Sequence, residues 1–276
     1  MLKRFSRVAS VLYLVVAGLT APALGADYIR GRAAFDSGDY GGALKEWSPL
    51  AGAGHVEAQY GLGGLYRDGL GVVRDYSAMI RWFTAAAQQG HAPAQCNLGN
   101  AYATGLGVPI DDREALKWLR RAAEQGLAPA ETSVGVMYFT GRAGARDYAE
   151  AAKWWRRAGE RGDAQAQTAL GHMYANGLGV SQDFVEAVKW TRLAAEQGHA
   201  EAQFNLGAAY LNGSGTVRDR VQALAWCSVS EAAGHQSAVK CKQVASQSLN
   251  VQERETATRL AQQYAERFGN RRATPK

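Results

Sequence analysis

Residues 58–90 read AQYGLGGLYRDGLGVVRDYSAMIRWFTAAAQQG, and most of the chain is this stretch copied with changes. Tyr66 recurs as Tyr102, Tyr138, Tyr174 and Tyr210, and Trp82 as Trp118, Trp154, Trp190 and Trp226, each step being 36 residues without insertion or deletion. Gly63, Gly69, Asp75 and Gly90 keep the same step. Self-similarity at such a period marks an array of small units that bury their apolar faces against one another.

Each copy divides into two helices by spacing. Ala58, Leu62, Leu65 and Tyr66 fall at i, i+4, i+7 and i+8, one face of a first helix. Gly69-Leu70-Gly71-Val72 then stops it, because glycine takes left-handed conformations that other residues resist. The third copy departs here, with Arg142-Ala143-Gly144 after Gly141. The repeated aspartate opens a second helix, and Glu114, Glu150, Glu186 and Gln222 stand three residues later, the arrangement of a capping box. Ala115, Trp118 and Ala122, repeated as Ala151, Trp154, Ala158 and as Ala187, Trp190, Ala194, make the apolar seam of that helix. Gly63, Gly99, Gly135, Gly171 and Gly207 lie inside the first helices, where glycine costs about 1 kcal/mol relative to alanine. A cost repeated in every copy implies a repeated steric need, and the expected partner pressing on that backbone is the tryptophan.

Outside the five copies the pattern changes. The start, MLKRFSRVASVLYLVVAGLTAPALGA, places Lys3, Arg4 and Arg7 before an apolar run over 8–19, then a helix-breaking Pro22 and small residues. This predicts an export signal over 1–25, with Ala23 and Gly25 before a cut ahead of Ala26. The run of 12 is too short to span a bilayer, so no stable membrane anchor is expected after cleavage. Residues 26–55 read as a divergent capping unit with a shortened first helix and loop. Five full units follow at 56–91, 92–127, 128–163, 164–199 and 200–235. Residues 236–268 read as capping helices, one over 236–247 and one over 251–268 with Asn250 as N-cap and Glu253 three residues on. Residues 269–276 carry no apolar pattern and are expected to be disordered.

The chain has 31 basic and 25 acidic residues, and removing the three basic residues of the signal lowers the net charge from +6 to +3. A near-neutral body argues against nucleic acid as a partner. Three cysteines, Cys96, Cys227 and Cys241, form no disulfide framework. Cys227 and Cys241 each lie seven residues from Gly234, at matching heights on the two arms of a hairpin. Equal height does not make their Cα–Cβ vectors converge, so two unpaired thiols are the expectation and a bridge the alternative.

The unit ALGxxYxxGxGVxxDxxEAxKWxxxAAEQGxxxA, which residues 166–200 fit almost without exception, resembles the Sel-one-like repeat, a relative of the tetratricopeptide repeat with a longer loop between its helices. The resemblance covers roughly 27–268. It implies an all-α, right-handed superhelical solenoid of helix hairpins serving as a non-catalytic protein-interaction scaffold, with the first helices lining the concave face. Exported bacterial members resemble envelope adaptors and host-interaction proteins. A cysteine-rich branch, linked to β-lactam binding or hydrolysis, carries paired cysteines in every unit; these are missing here. The implied product is a periplasmic or secreted monomer that holds a protein or peptide of the cell envelope or of a host. The alternative is an enzyme or ligand-binding protein directed at the cell wall.

No catalytic, metal or cofactor residue is singled out. His55, His91, His199 and His235 share one register after the turn glycine, one per unit, too far apart to share a zinc ion. His172 stands alone on a first helix. First-helix positions outside the apolar seam are the candidate partner contacts: Asn97, Asn100, Thr104, Ser133, Thr140, His172, Asn176, Asn205 and Asn212. This is a mostly uncharged stripe whose amides suit an extended peptide backbone or a glycan; an ordinary solvated face is the alternative, with Asn176 and Asn212 merely ending helices. Arg81, Lys117, Lys153 and Lys189 form a second ladder, expected on the outer surface in i,i+3 pairs with glutamate.

Overall fold

The structure, a computed structural model, describes residues 21–142 and 144–268, with side chains from residue 27 onward. The expected export signal lies outside them over 1–20, as does the tail 269–276. The described residues form helices without strands and divide into two compact units, one ending at Asp75 and the other beginning at Tyr76.

The first unit contains α1 (Ala21–Asp36), α2 (Tyr40–Gly52) and α3 (Val56–Asp68). Of α1, residues 26–36 fall within the expected capping unit, against 13 residues for α3, and the α1–α2 connection is shorter than the loops of the later copies. Asp39 caps α2 by accepting from the Gly42 N–H at 2.9 Å. Trp47, 3% exposed, is the hub: Tyr28 and Phe35 stack on it with ring centroids 6.0 and 5.7 Å away.

The second unit contains α4 (Tyr76–Gln88), then the hairpins α5 (Ala92–Thr104) with α6 (Asp112–Glu124), α7 (Ala128–Thr140) with α8 (Tyr148–Glu160), α9 (Ala164–Asn176) with α10 (Phe184–Ala195), and α11 (Ala200–Asn212) with α12 (Arg220–Ala232). It closes with α13 (Ser237–Ser246) and α14 (Val251–Phe268). Each first helix packs on its own partner and on the second helix before it, which is the solenoid arrangement. Asp111, Asp147, Asp183 and Asp219 cap the second helices through their carboxylates. The expected reciprocal half of the capping box does not form. The N–H of Asp111, Asp147 and Asp183 is taken by the carbonyl of Tyr102, Tyr138 and Tyr174, so Glu114, Glu150 and Glu186 turn instead to Lys117, Lys153 and Lys189.

The glycines inside the first helices also have a different partner from the one expected. A Cβ on Gly99 would stand 2.7 Å from Leu119 Cγ and 3.0 Å from the Ala115 carbonyl oxygen; on Gly207 it would stand 2.5 Å from Cys227 Sγ and 3.3 Å from the Ala223 oxygen. Gly135 and Gly171 meet Trp155 and Thr191 in the same way. The pressing residue is therefore the one after the repeated tryptophan, and its type varies because the constant demand is closeness of backbones. The tryptophans themselves lie between hairpins: Trp154 packs with Leu119 and Val134, and Trp190 with Ala158 and Leu170.

Another tie was not read from the sequence. Gln95, Gln167 and Gln203 are buried and donate their side-chain amides to the carbonyls of Ala87, Gly159 and Ala195 at 3.0, 2.9 and 3.2 Å, stapling each first helix to the end of the preceding second helix. The third copy has Glu131 in this register, a carboxylate that cannot donate. Its place at the Ala123 carbonyl is taken by Arg157 Nη2 at 3.1 Å, while Arg157 Nε and Arg161 Nε reach the fully buried carboxylate at 3.0 and 3.3 Å.

At the end, Cys227 and Cys241 are bonded, correcting the expectation of free thiols; the Cα atoms are 6.0 Å apart and the helix pair aims both sulfurs inward. Asn250 and Glu253 form a reciprocal capping box, Asn250 N–H donating to Glu253 Oε2 at 2.8 Å and Glu253 N–H to Asn250 Oδ1 at 2.9 Å. Rather than pairing with α13, α14 lies on α12, with Tyr264 and Phe268 stacked on Trp226 at 4.3 and 5.8 Å.

Candidate binding groove

Three cavities lie in series along the first helices of the second unit. One of about 330 Å³ is lined by α5 and α7 residues including Asn100, Thr104, Thr132, Ser133, Val136 and Met137, with Arg142 and Asp163 at its edge. One of about 350 Å³ is lined by Phe139, Trp155, Thr168, His172, His199 and Glu201. One of about 260 Å³ has His172, Asn176, Phe184, Asn205, Asn212 and Ser214 around a floor of alanines and Val188. Gln165 belongs to the first and second cavities and His172 to the second and third, so the three form one groove.

Seven of the nine stripe residues are thereby brought together: Asn100, Thr104, Ser133, His172, Asn176, Asn205 and Asn212. Asn97 and Thr140 lie outside all three cavities, and the Thr140 hydroxyl is spent on the Val136 carbonyl at 2.7 Å. Four others already have partners, Ser133 donating to Asn100 Oδ1 at 3.4 Å. Thr104 donates to the Asn100 carbonyl at 2.8 Å, Asn176 to the His172 carbonyl at 2.8 Å, and Asn100 to Cys96 Sγ at 3.7 Å. Burial pushes the Cys96 thiol up to about 11, with the Asn100 contact acting weakly the other way. Asn205 and Asn212 make no side-chain hydrogen bond among the described residues. Thr132 Oγ1 is buried and unpaired at the margin of the first cavity.

The groove also uses residues outside the stripe. Gln165 and Glu201 share a register at the second position of α9 and α11, and that 36-residue step was visible. Phe184 belongs to a second helix, where the sequence pattern reads only a position beside the cap. The turn histidines act as caps and neighbours: His91 Nδ1 accepts from the Ala94 N–H at 3.2 Å, and His235 stacks on Phe204 at 4.8 Å. His199 Nδ1 lies 3.0 Å from Thr168 Oγ1. The Thr168 hydroxyl donates to the Ala164 carbonyl at 2.8 Å, so it is free to accept from a protonated His199 Nδ1. No group of three or more metal-binding side chains occurs among the described residues.

The sequence profile of the Sel1 repeat matches residues 56–91, 92–127, 128–163, 164–199 and 200–235, well over half of the chain. The chain belongs to the Sel1 repeat family, whose members are generally protein-interaction scaffolds rather than enzymes. Among solved structures it is similar to a Sel1 repeat protein from Oxalobacter formigenes, at 33% identity over 85% of this chain and 96% of that one with a TM-score of 0.74. A protective antigen of uropathogenic Escherichia coli strains with an SLR fold is 25% identical over 89% of this chain and 69% of that one, TM-score 0.44. A Sel1 repeat protein of Klebsiella pneumoniae is 24% identical over 73% and 98%, TM-score 0.47. No curated protein matches the chain.

Proposed function

We propose that this chain is an exported, non-catalytic scaffold that receives an extended segment of a protein partner in the groove along α5, α7, α9 and α11. The observation that carries this is the serial arrangement of the three cavities through shared Gln165 and His172, each rimmed by amides and hydroxyls. An extended chain advances about 3.3 Å per residue and neighbouring helices lie about 10 Å apart, so each hairpin meets about three partner residues. A rigid wall that already presents donors and acceptors takes such a segment with little ordering cost on its own side. The Cys227–Cys241 bond suits an oxidising compartment and supports export, as does the basic and apolar start of the sequence.

The test is photocrosslinking in the native cell. A photoreactive phenylalanine analogue at Ser133 or Gln165 is expected to give a discrete protein adduct, and the same group at Lys189, on the outer ladder, none. Adducts only from Lys189 refute groove binding. Adducts to peptidoglycan fragments from the groove positions move the reading to a cell-wall ligand. Fractionation with N-terminal sequencing checks export, the expected result being a periplasmic or secreted chain beginning at Ala26.

A further inference from the structure

The third cavity differs from the others in one respect. None of its thirteen lining residues is an aspartate, glutamate, lysine or arginine, whereas Arg142 and Asp163 border the first and Glu201 the second. Its floor is Gly171, Ala187, Val188 and Ala208, and one wall is Phe184, which leaves 43% of its surface exposed. In the other second helices this position holds Tyr76, Asp112, Tyr148 and Arg220, so an exposed phenyl ring here is particular to the fourth copy. The lining also carries Asn205 and Asn212, whose amides make no hydrogen bond among the described residues.

An apolar floor with unspent amides on its rim separates two demands. The floor takes a side chain that loses nothing on leaving water, and an acidic or basic group would be desolvated there without a counter-charge. The amides offer both donors and acceptors, which match a main chain in extended form. We infer that this cavity is a specificity socket for one large apolar side chain, phenylalanine or leucine in type, of an extended partner segment whose neighbouring main chain is held by Asn205 and Asn212. The inference rests on the scaffold reading and adds to it the position and character of the anchoring residue. The 260 Å³ of space is ample for one such side chain. The polar, partly charged surroundings of the other two cavities then hold the rest of the segment with less discrimination.

The test uses the full chain, uniformly labelled with 15N, and capped heptapeptides of serine and glycine with one central residue: phenylalanine, leucine, aspartate or lysine. The side-chain amide signals of Asn205 and Asn212, assigned from Asn205→Asp and Asn212→Asp, are followed on titration. The phenylalanine and leucine peptides are expected to move both signals saturably and to bind at least about tenfold more tightly than the aspartate and lysine peptides. Phe184→Ala, a change at a half-exposed side chain that leaves the fold intact by circular dichroism, is expected to weaken the phenylalanine peptide about fivefold or more. Equal response to all four peptides, or shifts confined to residues outside this cavity, overturns the socket. So does a response to an N-acetylglucosamine oligomer in place of the peptides, which would assign the amides to a glycan. A groove adduct in the crosslinking experiment without phenylalanine preference here sinks the socket and spares the scaffold; preference here without any groove adduct does the reverse.

Discussion

Replacing Arg157 and Arg161 together by alanine strands Glu131. Its side chain is 0% exposed, and the two guanidinium groups at 3.0 and 3.3 Å are the only cations placed on it among the described residues. Removing the partners of a buried charge costs about 3–5 kcal/mol, because the remaining ion has neither water nor a counter-charge. Arg157 also lies over the Trp154 ring at 4.5 Å, which adds about 0.5–1 kcal/mol to its share. The reverse change is cheaper. The arginine side chains are 41% and 52% exposed, so in Glu131→Gln they return to water. The new amide then has the Ala123 carbonyl within the geometry that Gln95, Gln167 and Gln203 use. Glu131→Gln with Arg161→Gln converts the third copy into the pattern of the second and fourth, where Gln125 and Gln197 donate to Gln95 and Gln167 at 2.8 Å. That pair of substitutions is expected to stay within about 1 kcal/mol of the parent. Thermal and urea unfolding followed by circular dichroism read these differences, a loss of this size lowering Tm by about 2–4 °C per kcal/mol. A surface ion pair would weaken in high salt and this one should not. If the double alanine variant costs under about 1 kcal/mol, or Glu131→Gln costs as much as it does, the buried-charge reasoning is wrong.

Gly99→Ala and Gly207→Ala are expected to lose about 1–3 kcal/mol through overpacking against Leu119 and Cys227, although alanine favours helix. Gly64→Ala, in α3 with nothing within 4 Å of the added carbon, should gain about 0.5–1 kcal/mol, and chemical denaturation of the three variants checks the contrast. Cys96 carries a thiol raised from 9.0 to about 11 in the fold, so the unfolded chain ionises first on the alkaline side. Its contribution is complete below pH 9 and is lost as pH rises from there towards 11, at up to about 1.4 kcal/mol per unit. Cys96→Ala should flatten that part of a stability–pH curve relative to the parent, and an unchanged slope would refute the assignment. Cys227→Ser opens a bridge between residues 14 apart and should cost about 3 kcal/mol, with protection of α13 amides from hydrogen exchange falling most. Protection of α13 unchanged from the parent in that variant would count against the bridge as its fastening.

Repeat period, helix pairing and the caps were legible because each depends on residues near in sequence. Asp111 capping its own helix and Asn250 pairing with Glu253 involve spacings of two or three residues, set by helical geometry alone. The groove was legible in part. Asn100, His172, Asn205 and Asn212 were found because variation at fixed registers reveals a face, whereas Phe184 belongs to a different helix and joins them only when α10 passes beneath α9 and α11. The capping box failed in its second half because a tyrosine carbonyl from the preceding helix reached the aspartate N–H first.

The sequence by itself determined an all-α solenoid of five 36-residue copies, their boundaries by turn glycines, and which side of each first helix is polar, since periodicity and local backbone chemistry suffice for these. Tertiary structure decided which residue presses on Gly99 and Gly207, that Glu131 is held by Arg157 and Arg161, that Cys227 meets Cys241, and that α14 settles on α12. Those outcomes turn on distances of a few ångströms between backbones remote in sequence, and period fixes register along the chain without fixing how closely neighbouring helices approach.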